Sequence, residues 1–179
     1  MQTKGKTMLA LNPNFQPLTD GASHPNDWRA LLAICGASEA RQNFDLWRPT
    51  HLISIYGPAG RYLGPAELTP DRHLHIRIDD TMIEGIAAAP SAWMVKDIFD
   101  FIDELPAEAR LVIHCRQGIS RSTGVGLGIL ARYLPPEIAG EALLSLRPMA
   151  MPNRLIARLF DQRLGLDGQL LQVAEHICA

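Results

Sequence analysis

The stretch Leu111-Val112-Ile113-His114-Cys115-Arg116-Gln117-Gly118-Ile119-Ser120-Arg121-Ser122 decides how this chain is read. Its apolar head, Leu111 to His114, has the length and branching of a short buried strand, and its tail opens a helix near Arg121. The link between them lies where backbone N–H groups and a positive helix terminus converge, an arrangement that binds a tetrahedral oxyanion. Five residues separate Cys115 from Arg121, about the length needed to curl around a phosphate with the amides facing inward. Gly118 lacks a Cβ, so the backbone there is free to turn left-handed and approach a ligand closely.

The side chains at this point suggest covalent chemistry. A free thiol titrates near ~8.5, and a helix N-terminus beside an arginine lowers that value by several units, so Cys115 is a candidate nucleophile. Arg121 carries a planar fork of donors suited to two phosphate oxygens. Ser122 is placed to donate to the Cys115 sulfur as it leaves a thiophosphate. Two-step hydrolysis of a phosphate monoester through a phosphocysteine needs these groups, and it calls for no metal and no cofactor.

The motif His114-Cys115, five residues, then Arg121-Ser122 resembles the signature of the cysteine-dependent protein tyrosine phosphatase superfamily. The ending Gly118-Ile119-Ser120-Arg121-Ser122 is most similar to the dual-specificity branch. The resemblance implies an α/β, tyrosine-phosphatase-like three-layer fold, with a central, mostly parallel sheet of about four to five strands flanked by helices. It also implies a cytoplasmic hydrolase acting on phosphotyrosine proteins, with phosphoserine and phosphothreonine proteins as further substrates. In its terms Cys115 is the nucleophile, Arg121 binds phosphate and Ser122 assists breakdown of the intermediate. Arg116, Gln117, Gly118, Ile119 and Ser120 border the anion site, and His114 organises the loop by hydrogen bonding.

Expelling an alkoxide or phenoxide requires a proton donor. Upstream, Leu74-His75-Ile76-Arg77-Ile78 alternates apolar and polar residues as a half-buried strand does, and it runs into Asp79-Asp80-Thr81. The family pattern of a short strand followed by Asp-Thr favours Asp80 as the general acid. Asp79 is the alternative, because one sequence does not fix the register of a loop. The Trp-Pro-Asp loop and the phosphotyrosine clamp of the larger tyrosine phosphatases are absent, which points to the compact branch.

The 179 residues suit a single domain spanning 1–179, with 47% hydrophobic and 20% charged residues. A net charge of −2 gives no general attraction to nucleic acid, and neither a signal peptide nor a membrane span is evident. Cys35, Cys115 and Cys178 lack zinc-site spacing and read as thiols of a reducing compartment, Cys35 in the core and Cys178 at the surface. His73 and His75 share a strand face with Asp71 and Arg77. That spacing is open to a metal, but a polar strand face accounts for it better.

Around the motif, prolines from Leu9 to Asn26 suggest an irregular surface wrap over residues 1–26. A helix is expected from Asp27-Trp28 through Ala40, a strand over His51 to Tyr56, and a helix between Pro90 and Pro106. Further helices follow over Ser122–Tyr133, Pro136–Arg147, Pro152–Leu164 and Asp167–Ile177. Gly124, Gly126 and Gly128 miss the dinucleotide spacing and are attributed to close helix packing. The turn Arg147 to Asn153 resembles a Pro-Asn turn near the C-terminal helices of dual-specificity phosphatases. Three alternatives stand beside the main reading: a non-protein substrate such as a phosphoinositide, nucleotide or other small phosphate ester; a catalytically silent phosphate-binding module; and a sulfur-transfer or arsenate-reducing enzyme. The oligomeric state is not encoded in any of these features.

Overall fold

Four short apolar runs pair into one parallel sheet in the computed structural model, which describes residues 25–28, 31–66 and 68–179. They are β1 (Leu31–Gly36), β2 (His51–Tyr56), β3 (His73–Arg77) and β4 (Arg110–Cys115), in the order β1-β4-β2-β3. All three pairings are parallel, so the strands are covered on both faces and read as nearly continuous apolar runs. Leu111, Val112 and Ile113 are wholly or almost wholly buried, each contributing about 1.5–3 kcal/mol of burial. The sheet therefore anchors the segment that leads to Cys115.

One face carries the short helices α1 (Ala37–Gln42) and α2 (Phe44–Trp47), packed through Ala40 and Trp47 onto Ala33, Cys35, Leu52 and Val112. The other face carries α3 (Ala92–Asp103), α4 (Arg121–Ala131), α5 (Pro136–Leu146), α6 (Arg154–Leu164) and α7 (Gln169–Ile177). This is the expected three-layer arrangement, with four strands. Every residue of α4 is buried. A Cβ on Gly126 would strike Ile34 of the sheet, and one on Gly128 would strike the Phe160 ring of α6. Close packing explains these glycines, as expected.

The N-terminal part departs from expectation. Residues expected to extend a helix from Asp27 to Ala40 instead form β1, and the helix begins only at Ala37. Leu31-Leu32-Ala33-Ile34-Cys35 is apolar without a break, a pattern that a buried strand shares with a buried helix, and pairing with β4 decides between them. The wrap expected from Leu9 to Asn26 lies outside the described residues apart from Pro25 and Asn26. Among the described residues no helix is long and apolar enough to cross a membrane.

Candidate active site

β4 ends at Cys115 and α4 begins at Arg121, so the intervening loop sits at the C-terminal edge of a central strand, where α/β sheets bind ligands. Gly118 has φ +72°, and a Cβ there would overlap the backbone of Cys35 and Gly36. The left-handed turn and this close approach both require glycine. The carbonyls of the loop are engaged from outside it. Arg116 O accepts from Ala37 N, and Ile119 O from Met151 N. Ser120 O accepts from Gly124 N and Asn153 N, and Gln117 O and Gly118 O accept from Arg147. With its carbonyls turned outward, the loop keeps its N–H groups for whatever it encircles.

Cys115 is 3% exposed. Burial alone would raise its thiol pKa. Donation from the Ser122 hydroxyl at 3.2 Å, from the Ser122 and Gly118 N–H groups and from the charge of Arg121 outweighs that, and the thiol is held below its ordinary value. Arg121 is also buried; its Nη1 donates to Ile78 O at 2.8 Å, while its Nε has no hydrogen-bond partner among the described residues. A buried guanidinium N–H without an acceptor is costly unless the site receives an anion.

Asp80 stands over this guanidinium, Oδ2 lying 3.9 Å from Arg121 Nε. Its Oδ1 accepts from Ser120 Oγ at 2.7 Å and from Asn153 Nδ2 at 2.9 Å. Asp79 lines the same cavity with its carboxylate beside Gly57. The cavity has a volume of about 490 Å³, and Tyr56, Tyr62, Leu63, Arg61 and Arg116 form part of its wall. Of the expected loop residues, Cys115, Arg116, Arg121 and the preceding His114 line it. Gln117 is exposed and its carbonyl points to Arg147.

Four contributors, Arg147, Asn153, Ser54 and His73, were not legible as site residues. Arg147 braces the back of the loop, donating through Nε to Gly118 O at 2.9 Å while its other nitrogens meet Glu39 of α1 at 2.8 and 2.9 Å. Asn153 caps α6 through its Oδ1 and holds Asp80 and Thr81 O through its Nδ2. The Pro-Asn turn was its faint signal. Ser54 and His73 join His114 in a buried hydrogen-bonded row. His73 is 5% exposed and His75 half-buried, whereas Asp71 and Arg77 at the ends of the same face are exposed. His75 stacks on His73 at 3.9 Å. Among the described residues no group of three or more His, Cys, Asp and Glu side chains converges as a metal site would require. Cys35 is fully buried, as expected; Cys178 is half-buried, its thiol turned to Pro152 O.

No family model matches the chain, nor does any curated protein. Solved structures do. A human tyrosine phosphatase-like serine/threonine/tyrosine-interacting protein superposes with a TM-score of 0.62 at 19% identity, covering 76% of this chain and 92% of its own. The fold is that of the dual-specificity and tyrosine phosphatases. DUSP15 gives a TM-score of 0.57 at 22% identity, over 82% of this chain and 89% of its own. A Cydia pomonella phosphatase, PTP-2, gives 0.55 at 18%, over 78% and 88%. One of these neighbours is named phosphatase-like and interacting, so the phosphatase fold by itself carries no activity; the residues must argue for it.

Proposed function

We propose that this chain is a phosphate monoester hydrolase of the dual-specificity type, acting on phosphotyrosine and on phosphoserine or phosphothreonine proteins through a phosphocysteine intermediate. One observation carries the reading: a thiol held below its ordinary pKa and a buried guanidinium whose Nε–H is unmatched among the described residues share the two ends of one loop whose carbonyls face away from its centre. An oxyanion held there satisfies Arg121 Nε and lies in line with the Cys115 sulfur.

In the first step the Cys115 thiolate forms an S–P bond as the ester P–O bond breaks, and the leaving oxygen takes a proton from Asp80. In the second, Asp80 removes a proton from water, water oxygen bonds to phosphorus, and the thiolate departs with Ser122 donating to it. What favours Asp80 over Asp79 is its anchoring. Ser120 and Asn153 fix Oδ1, leaving Oδ2 near Arg121 to carry the proton. Tyr56, Tyr62 and Leu63 in the cavity wall suit an aryl ester.

Phosphate release from phosphopeptides, phosphoinositides and an aryl phosphate, with Cys115→Ser as control, tests the proposal. Hydrolysis of phosphopeptides that disappears in Cys115→Ser supports it. Equal, slow release by both proteins from every substrate overturns it, and turnover confined to phosphoinositides moves the substrate from protein to lipid.

A further inference from the structure

Beneath the loop, Ser54 Oγ lies 2.7 Å from His114 Nε2 and 2.8 Å from His73 Nε2, and His114 Nδ1 lies 3.4 Å from Cys115 O. Ser54, His73 and His114 come from three adjacent strands and are 0%, 5% and 3% exposed. His73 Nδ1, at the far end, is buried with no hydrogen-bond partner among the described residues. These four facts favour one direction for the protons in the row.

If His114 carries its proton on Nδ1, it donates to the Cys115 carbonyl and Nε2 accepts from the Ser54 hydroxyl. Ser54 Oγ then accepts from His73 Nε2–H, and the atom left without a partner is a lone pair on His73 Nδ1. The opposite direction sets the His114 Nδ1 lone pair against the Cys115 oxygen and leaves a buried N–H without an acceptor on His73, which is the costlier error. A proton added to either ring disrupts the row. Burial, the stacked His75 and the neighbouring ring push His73 down to about 4; burial first, then His75 and Arg41, push His114 to about 4 despite its contact with Cys115 O. Tyr62 tilts against the His114 ring, and Cys35 lies opposite it on the neighbouring strand with its thiol pushed well up by burial.

We propose that Ser54 and His73 are positioning residues for the nucleophile, holding His114 in the tautomer whose Nδ1–H donates to the Cys115 carbonyl. The proposal rests on Cys115 being the nucleophile. A donor on that carbonyl polarises the peptide it shares with Arg116, making the Arg116 N–H a stronger donor towards the anion site and the sulfur. The row thus conveys order from β2 and β3 to the floor of the loop.

The wild-type protein supplies the first test. Imidazole 15N shifts of His114 near neutral pH are expected to report a proton on Nδ1; a proton on Nε2 overturns the proposal. Iodoacetate alkylation, followed on the Cys115 peptide against pH, supplies the second. Ser54→Ala is expected to move the midpoint up by roughly 0.5–1 unit, the worth of about one neutral hydrogen bond, and an unmoved midpoint overturns the proposal. His73→Gln keeps a donor towards Ser54 and is expected to hold the wild-type midpoint, whereas His73→Phe raises it; equal midpoints for these two variants overturn the role of His73. In a His114→Asn background Ser54→Ala is expected to add nothing, and an undiminished shift there shows that Ser54 does not act through His114. If wild type releases no phosphate from any ester while the tautomer and midpoints behave as expected, the hydrolase reading falls and the positioning roles stand.

Discussion

Arg147 and Glu39, 108 residues apart, meet in a two-pronged ion pair directly behind the loop from Cys115 to Arg121, 2.8 and 2.9 Å on its two arms. The same guanidinium holds the carbonyls of Gly118 and Gln117, and the same carboxylate accepts from Gly36 N at the start of α1. Removing Arg147 takes the donor from both loop carbonyls and leaves Glu39 only the Gly36 N–H. Arg147→Ala is expected to cost about 2–4 kcal/mol in urea unfolding and to weaken phosphate binding. Glu39 is 37% exposed, so Glu39→Gln is expected to cost less, about 1 kcal/mol. The pH dependence has a definite sign. Burial alone would raise the Glu39 carboxyl, but Arg147 and Gly36 N–H hold it below the ordinary carboxylate value. Its contribution is therefore fully present above the unfolded value of about 4.3 and is lost as pH falls through the lower folded value. Glu39→Gln is expected to remove that acid-side loss; unchanged acid sensitivity would assign it to other carboxylates.

Asp80 and Asp79 make separable predictions. Asp80→Asn is expected to slow alkyl phosphate hydrolysis by about 10²–10⁴-fold and activated aryl esters far less, because a good leaving group needs no proton. Asn153→Ala frees Asp80 Oδ1 from one of its two donors and is expected to show a weaker form of the same pattern. Leaving-group dependence of kcat for the three proteins is the measurement. An equal loss on both ester types for Asp80→Asn, with the selective loss in Asp79→Asn, would transfer the role to Asp79.

The pattern of success in reading this chain follows the range of the interactions. β2 was legible to the residue because His51–Tyr56 is a strand-length apolar run closed by Gly57-Pro58. The loop was legible because its glycine, thiol and arginine act within one turn of chain. β1 was not, since Leu31–Gly36 has no local feature that separates a buried strand from a buried helix; its partner β4 lies about eighty residues on. Arg147, Asn153, Ser54 and His73 were missed for the same reason. Each has an ordinary local context and acquires its role only when the sheet and α5–α6 bring it to the loop.

Ser122 touches the sulfur at 3.2 Å, and it is proposed to act twice, lowering the thiol pKa and easing departure of the thiolate. Ser122→Ala is expected to raise the alkylation midpoint of Cys115 and to slow the second step more than the first. Steady-state turnover then falls by roughly tenfold or more, a burst of alcohol or phenol release precedes it, and phosphorylated Cys115 accumulates in acid-quenched samples. Slower turnover with neither burst nor phosphocysteine would place the effect of Ser122 in the first step.

Gly128 sets the distance between α4 and α6, and thereby the height of the helix that begins with Arg121. Alanine has the higher helix propensity by about 1 kcal/mol, so an open helical site would gain from Gly→Ala. At Gly128 the new methyl meets the Phe160 ring, which is fully buried and has no space to retreat. Overpacking of this kind costs about 1–3 kcal/mol, so the clash outweighs the propensity gain. Gly128→Ala is expected to lower the urea midpoint, and the double variant Gly128→Ala, Phe160→Leu to recover part of the loss by making room. If the single variant proves more stable than wild type, α4 has slack against α6, and the close packing assigned to its glycines does not hold at this position.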